Sequence, residues 1–267
     1  MASTLPLLLA SLGGPFDAIH LPPDASESGW RIDDMIQSTT VFVSILFVLM
    51  VIWMVWSVVK HGPMHQALFD HGADSKSWRW TALVAALIFV VVDGDLLYHS
   101  TTFMHGVFFD FAGAEKKPGA VRVEINAHQW AWNARYAGPD GKFNTPDDIV
   151  VLNELVVPQG APVIFQVTST DVIHGFNVPS MRMKVDAIPG TVTRMWFQPK
   201  DTGVFEIICA QHCGANHYKM RGTVTVLPRA EFDRWARVTS VNAARAYDPK
   251  DVEAHWGWDW AEHSRLE

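Results

Sequence analysis

Hydrophobic and polar positions fall into three regimes along the chain. From Thr39 to Val59 no charge interrupts a run dense in Val, Ile, Leu, Phe and Met. At 1.5 Å per residue a helix of that length crosses a hydrocarbon layer of about 30 Å. A buried helix in a soluble core rarely stays uncharged so long, so the pattern predicts a membrane span over 39–59. A second apolar run opens at Trp80 and meets Asp93, Gly94 and Asp95 before Leu96, Leu97 and Tyr98. Its apolar part is too short alone, but a helix over 80–98 is long enough to span. Asp93 then lies roughly 20 Å along the axis from Trp80. Acids at that depth are costly unless they face protein or water. Two readings stay open: a proton or hydrogen-bond station against a partner subunit, or a bilayer that ends early enough for both acids to reach its surface.

Charge sets the orientation. The segment 60–79 carries Lys60, Lys76 and Arg79, whereas the flank before the first span has only Arg31, and no base follows Tyr98 until Lys116. The excess of Lys and Arg marks the cytoplasmic loop. A multi-pass protein of a bacterial-type inner membrane is therefore expected, with the N-terminus and the large domain on the periplasmic side. The opening MASTLPLLLASLGG has an apolar patch but no basic start, so no cleaved leader is expected.

Beyond Lys117 the pattern changes to short segments rich in Val, Ile, Thr and aromatics, such as AVRVEINAHQW, APVIFQVTST, GVFEIIC and GTVTVLP, broken by Gly and Pro. These predict an all-β sandwich. Val163, Phe165 and Val167 alternate with less apolar neighbours, as one buried face requires. The expected organisation is an outer segment 1–37, a two-helix hairpin 38–100, a β domain 118–228 and a tail 229–267. The tail is helical at first and ends in HWGWDWAEH, where Trp256, Trp258 and Trp260 mark either an interface or ordinary packing.

Composition narrows the picture. With 49% apolar and 18% charged residues, the chain hides much of its surface from water. A net charge of −7 and the lack of any basic run argue against a nucleic-acid partner. The two cysteines, Cys209 and Cys213, are four residues apart. A disulfide there would close a tiny ring and stabilise little, so metal ligation is the better reading.

The segment CAQHCGANHYKM, residues 209–220, gathers two thiolates, an imidazole and a thioether: Cys209, Cys213, His217 and Met220. Soft donors of this kind select copper or zinc over hard cations. Structural zinc sites are built from Cys and His and have no use for Met220. A Cys–His–Met loop completed by a distant His is the donor set of a cupredoxin copper site. A second thiolate one loop turn away lets both sulfurs bridge a pair of coppers. His174, in DVIHGFNVP after the strand APVIFQVTS, is the candidate distant ligand.

Three motifs then match one family in order: HQWAW at 128–132, DVIHGFNVPSMRMKVDAIPG at 171–190 and the loop at 209–220. The chain resembles subunit II of the cytochrome c oxidases, the CuA-bearing subunit of haem-copper oxidases, over about residues 35–228. The resemblance implies an α-helical transmembrane hairpin plus an all-β, cupredoxin-like Greek-key domain. It implies a dinuclear CuA held by His174, Cys209, Cys213, His217 and Met220, with the main-chain carbonyl of Gln211 as sixth ligand. Trp130 resembles the aromatic through which cytochrome c, or another periplasmic donor, delivers electrons. Lys184 and Asp186 match a pair that braces the domain against the haem-bearing subunit I; a plain surface ion pair is the alternative. Implied partners are subunit I, other oxidase subunits, the donor and the bilayer. Oxygen reduction to water belongs to the complex, and this chain is expected to hold no oxygen-reducing site.

Four departures matter. Gln211 stands where the family commonly has Glu, whose carboxylate also holds magnesium or manganese at the subunit interface. A neutral amide is a poorer ligand for a hard cation, so that ion is expected to be absent or weak. Ser77 replaces the acid of a proton entrance, with Asp74 the nearest carboxylate, and Ala131 stands where an aromatic is usual. The insertion from Gly138 to Asp148 sets Asp140, Asn144, Asp147 and Asp148 at near-alternate positions: either a calcium loop, without the EF-hand register, or a plain hairpin tip. No CxxCH occurs, so no fused c-type haem is expected. Two rival functions stay open, the CuA subunit of a nitric oxide reductase and a single-copper electron carrier. A nitrous oxide reductase would need a large His-rich domain for which the chain has no room.

Overall fold

A computed structural model describes residues 21–66, 75–246 and 250. Asp74, the tail tryptophans Trp256, Trp258 and Trp260, and the opening apolar patch lie outside the described residues. The chain divides into two compact units, one holding residues 31–107 and the other residues 21–30 and those from 108 onward.

The first unit is helical. Helix α1 runs Gly29–Lys60. A second helical run comprises α2 (Ser75–Ile88), a π turn at Phe89–Asp93, α3 (Gly94–Phe103) and another π turn at Met104–Phe108. Both are long and apolar enough to cross a membrane. Both also overrun the expected spans, the first beginning at Gly29 rather than Thr39 and the second continuing to Phe108 rather than ending near Tyr98. Apolar runs mark where lipid can be met, whereas a helix goes on wherever its carbonyls stay bonded. Thr39 Oγ1 satisfies its own hydrogen-bonding need within the helix, on Met35 O at 2.7 Å. Asp95 lies 3.4 Å from Nε2 of His99, one turn on.

The second unit is a β-sandwich. Its strands are β1 (Val121–His128), β2 (Ala131–Tyr136), β3 (Ile149–Leu152), β4 (Glu154–Pro158) and β5 (Val163–Ser169). They continue with β6 (His174–Val178), β7 (Met183–Ala187), β8 (Thr193–Phe197), β9 (Gly203–Cys209) and β10 (Arg221–Leu227). One sheet has the order β3-β2-β1-β5-β8 and the other β4-β10-β9-β6-β7. Alternating apolar residues from both inner faces meet between the sheets. Trp132 on β2 meets Phe176 on β6 with ring centroids 5.2 Å apart, and Phe165 on β5 meets Phe176 at 5.6 Å. Aromatic pairs of this kind add about 1 kcal/mol each beyond the area they bury.

Three accessory pieces close the sandwich. Residues 22–26 lie along it, with Ala25 N donating to Ser180 O at 2.8 Å and Asp24 pairing Lys200 at 2.9 Å. The short helix α4 (Phe111–Lys116) is capped by Asp110, whose Oδ1 accepts from Gly113 N. Helix α5 (Arg229–Ala246) lays Trp235 against Tyr136, 5.4 Å between centroids.

The loop joining β2 to β3 is the insertion read as a calcium loop or a hairpin tip. Antiparallel pairing of β2 and β3 makes it a hairpin connection. Two of its acids hydrogen-bond within the loop: Asp148, which is buried, accepts through Oδ2 from Asn144 N at 2.7 Å, and Thr145 Oγ1 lies 2.9 Å from Asp147 Oδ1, while Asp140 is exposed. Beneath it Arg135 is buried with Nε and Nη2 on one oxygen of Glu124, at 2.7 and 2.5 Å, and with Nη1 on Asn144 Oδ1 at 2.6 Å.

Candidate metal centre

Three backbone segments meet at one end of the second sheet. β6 and β10 flank β9, so the residues just before β6 and the loop joining β9 to β10 fall side by side. His174 is the first residue of β6, Cys209 the last of β9, and Met220 immediately precedes β10. Cys209 N donates to Met220 O at 3.2 Å, and Ala210 N to Gly175 O at 2.9 Å, closing the loop at its base and pinning it to β6. Gly175 permits that approach, because a Cβ there would lie 2.9 Å from the carbonyl carbon of Ala210.

The donor atoms converge. Cys209 Sγ and Cys213 Sγ are 3.7 Å apart as free thiols, and Cys209 Sγ is 3.1 Å from Gln211 O. Cys213 Sγ lies 3.5 Å from Nδ1 of His217 and 3.7 Å from Sδ of Met220. His174 Nδ1 is 3.2 Å from the same Met220 Sδ. All six expected donors thus share one small volume, with His174, Cys209, Cys213 and Met220 buried and the side chain of Gln211 turned outward. Among the described residues, His174, Cys209 and Cys213 form the one His/Cys/Asp/Glu group close enough to hold a metal, their ligand atoms all within 4.8 Å. The acids of the 138–148 loop form no such group.

The electrostatics favour ligation. Burial resists ionisation of Cys209, but hydrogen bonds from His174 and from the main chain of Gln211 and Gly175 outweigh it and bring the thiol down to about 6. Burial, and then the neighbouring Cys209, push Cys213 up to about 12. The hydrogen bonds thus favour one thiolate of the pair, and the charge on Cys209 disfavours the second. Thiolates are the form that binds metal. Asp171, which sequence reasoning did not single out, places Oδ1 2.8 Å from Nε2 of His174. An Asp three residues before the candidate ligand His174 was the signal available.

Trp130 lies outside the donor cluster but against it. Gln129 and Trp130 form the two-residue turn between β1 and β2, and Trp130 Nε1 donates to Cys213 O at 3.3 Å. Trp132, two residues on, is fully buried core. Ala131, where an aromatic is usual in the family resembled, is buried as well. Lys184 Nζ lies 2.8 Å from Asp186 Oδ1, an ion pair within β7 off the hydrogen-bonding angle.

The family model for the periplasmic domain of cytochrome c oxidase subunit II matches residues 140–227. An alternative cytochrome c oxidase subunit 2 from Bradyrhizobium diazoefficiens is 31% identical over 268 residues, covering 88% of this chain and 91% of that one. The chain belongs to the cytochrome c oxidase subunit II family. A second subunit II relative, from Alkalihalophilus pseudofirmus, is 27% identical, covering 96% of this chain and 71% of its own length. Among solved structures, the periplasmic domain of subunit II from Bradyrhizobium japonicum aligns at 29% identity with a TM-score of 0.41, covering 46% of this chain and 94% of that one. Two apolar helices and a cupredoxin-like sandwich are thus the architecture of this subunit II chain.

Proposed function

We propose that this chain is the electron-accepting subunit of a membrane haem-copper oxidase, holding a dinuclear CuA centre through His174, Cys209, Cys213, His217, Met220 and the carbonyl of Gln211. The observation that carries this reading is the convergence of those six donors in steps of 3.1–3.7 Å at one buried end of the sandwich. Two sulfurs, two imidazoles, a thioether and a carbonyl suit copper, and a thioether has no place in structural zinc chemistry. A copper pair bound there supplies a one-electron relay between a periplasmic donor and a haem in the catalytic subunit. Within this chain, Cys209 and Cys213 hold the thiolates, Asp171 orients His174, and Trp130 offers a half-buried ring against the loop. The helices over Gly29–Lys60 and Lys76–Phe108, long and apolar enough to span, support anchoring in the inner membrane, and the Lys and Arg excess of segment 60–79 supports a periplasmic domain.

Copper stoichiometry and spectroscopy of the purified complex test the reading. Two coppers per chain with the spectrum of an interacting pair are expected, and Cys213→Ser should abolish that paired signal. One copper per chain with a single-copper spectrum would sink it in favour of a simple carrier. Turnover with oxygen and with nitric oxide identifies the terminal acceptor; oxygen is expected.

A further inference from the structure

The turn between β1 and β2 is fastened at both of its residues to the metal loop. Gln129 Nε2 donates to the main-chain carbonyl of Cys213 at 2.8 Å, and Trp130 Nε1 donates to the same oxygen at 3.3 Å. The main-chain N–H of Gln129 donates to Asp171 Oδ2 at 2.6 Å, while Oδ1 of that carboxylate meets His174 Nε2. One residue therefore ties the turn to both sides of the donor cluster, to Cys213 through its side chain and to His174 through Asp171. The glutamine bond is the shorter of the two on Cys213 O, and the indole bond is near the long end of the useful range. Gly214 keeps the gap open, since a Cβ there would come within 2.8 Å of Gln129 Nε2 and 3.4 Å of Cζ2 of Trp130.

We propose that Gln129 is a positioning residue for electron input, a latch that holds the turn against the Cys213 carbonyl so that the Trp130 ring keeps its register on the metal loop. The inference rests on the reading of Trp130 as the input group and of the loop as a copper site. Its chemistry suits the task. A neutral amide donates to the carbonyl without adding charge beside two thiolates, and its main-chain N–H shares the carboxylate that orients His174. Electron transfer falls steeply with gap distance, so a ring that swings off the loop loses coupling while the metal site stays intact.

The test uses the assembled oxidase and four proteins: wild type, Gln129→Leu, Gln129→Met and Trp130→Leu. Each is followed for copper content and paired-copper spectrum, for reduction by the protein donor, and for reduction by a small diffusible one-electron reductant. Both Gln129 variants are expected to keep copper, spectrum and small-reductant rate while slowing the donor reaction about tenfold, a loss of the size that slight misplacement of a reacting group produces. Trp130→Leu should slow the donor reaction at least as much. Donor reduction at the wild-type rate in Trp130→Leu would overturn the underlying reading of that residue. A slow Trp130→Leu beside Gln129 variants at wild-type rate would overturn the latch alone. So would a changed copper spectrum in the Gln129 variants, because the amide would then act on the metal site and not on the ring.

Discussion

The carboxylate of Asp171 lies 2.8 Å from Nε2 of His174, which leaves Nδ1 of that ring facing Met220 Sδ at 3.2 Å. With Nε2–H donated to the carboxylate, Nδ1 carries the free lone pair and points to where the other donors meet. A ligand histidine oriented by a carboxylate is a recurrent arrangement, and its loss typically costs about 10–100-fold in metal affinity. Asp171→Ala should therefore weaken copper retention by about that factor in a chelator competition, with both thiols still present. Unchanged retention would mean that loop packing alone orients His174.

Gly175 brings β6 within van der Waals reach of the loop joining β9 to β10, backbone to backbone. A methyl group there would meet the main chain of Ala210 and Gln211 at about 3 Å, and neither can rotate away as a side chain could. Gly175→Ala should push the loop off β6, separate His174 from Cys209 and lower the copper content of the purified oxidase. The sandwich core, formed by other residues, should keep its thermal transition. Copper content equal to wild type would show that the loop can shift as a body and still bind.

How much of this was legible in the sequence depends on locality. Cys209, Cys213, His217 and Met220 could be read because one short loop carries them all, and soft donors so close together have few other uses. His174 could be reached only through its motif, since the β6–β9 pairing that delivers it joins distant parts of the chain. Alternation alone would put Trp130 and Trp132 on one face of a strand. Trp130 instead occupies the turn while Trp132 fills the core, because β1 stops at His128 and β2 starts at Ala131. The helix ends were missed for another reason: hydropathy reports lipid contact, and HSTTFMHGVFF has too little of it to signal a helix that continues to Phe108. The Arg135–Glu124 pair was invisible, as a charge on each of two neighbouring strands looks like a solvated face until the inserted loop covers it.

That buried pair has a stability consequence. Arg135 makes hydrogen bonds to Glu124 and Asn144 and lies 3.7 Å from Asp148 Oδ2, with almost none of its own surface exposed. Above about pH 8, where Glu124 has lost its proton, removing the cation leaves that carboxylate buried under the loop without compensation. Breaking a buried pair from one side typically costs about 3–5 kcal/mol. Above about pH 8, Arg135→Ala should lower the unfolding free energy of the detergent-solubilised chain by about that amount, followed by tryptophan fluorescence in guanidinium. A loss below about 1 kcal/mol would place the pair among exposed ion pairs, which contribute little.

Glu124 also gives the sandwich a pH dependence whose sign is fixed by its surroundings. Burial raises its carboxyl from 4.5 to about 8, outweighing the opposing pull of Arg135, and Oε1 has no hydrogen-bond partner among the described residues. In the unfolded chain the group loses its proton near 4.5, whereas in the folded domain it keeps it until about 8. Between those values the folded state holds the extra proton, so this group's contribution to stability falls as pH rises and levels off above about 8. Glu124→Gln, which cannot ionise, should flatten the fall in thermal midpoint across that window relative to the parent chain. The comparison needs both proteins at each pH, because other groups titrate in the same range and cancel only in the difference. An identical slope in the two proteins would mean that Glu124 ionises in the fold as it does in water, with Arg135 fully offsetting its burial.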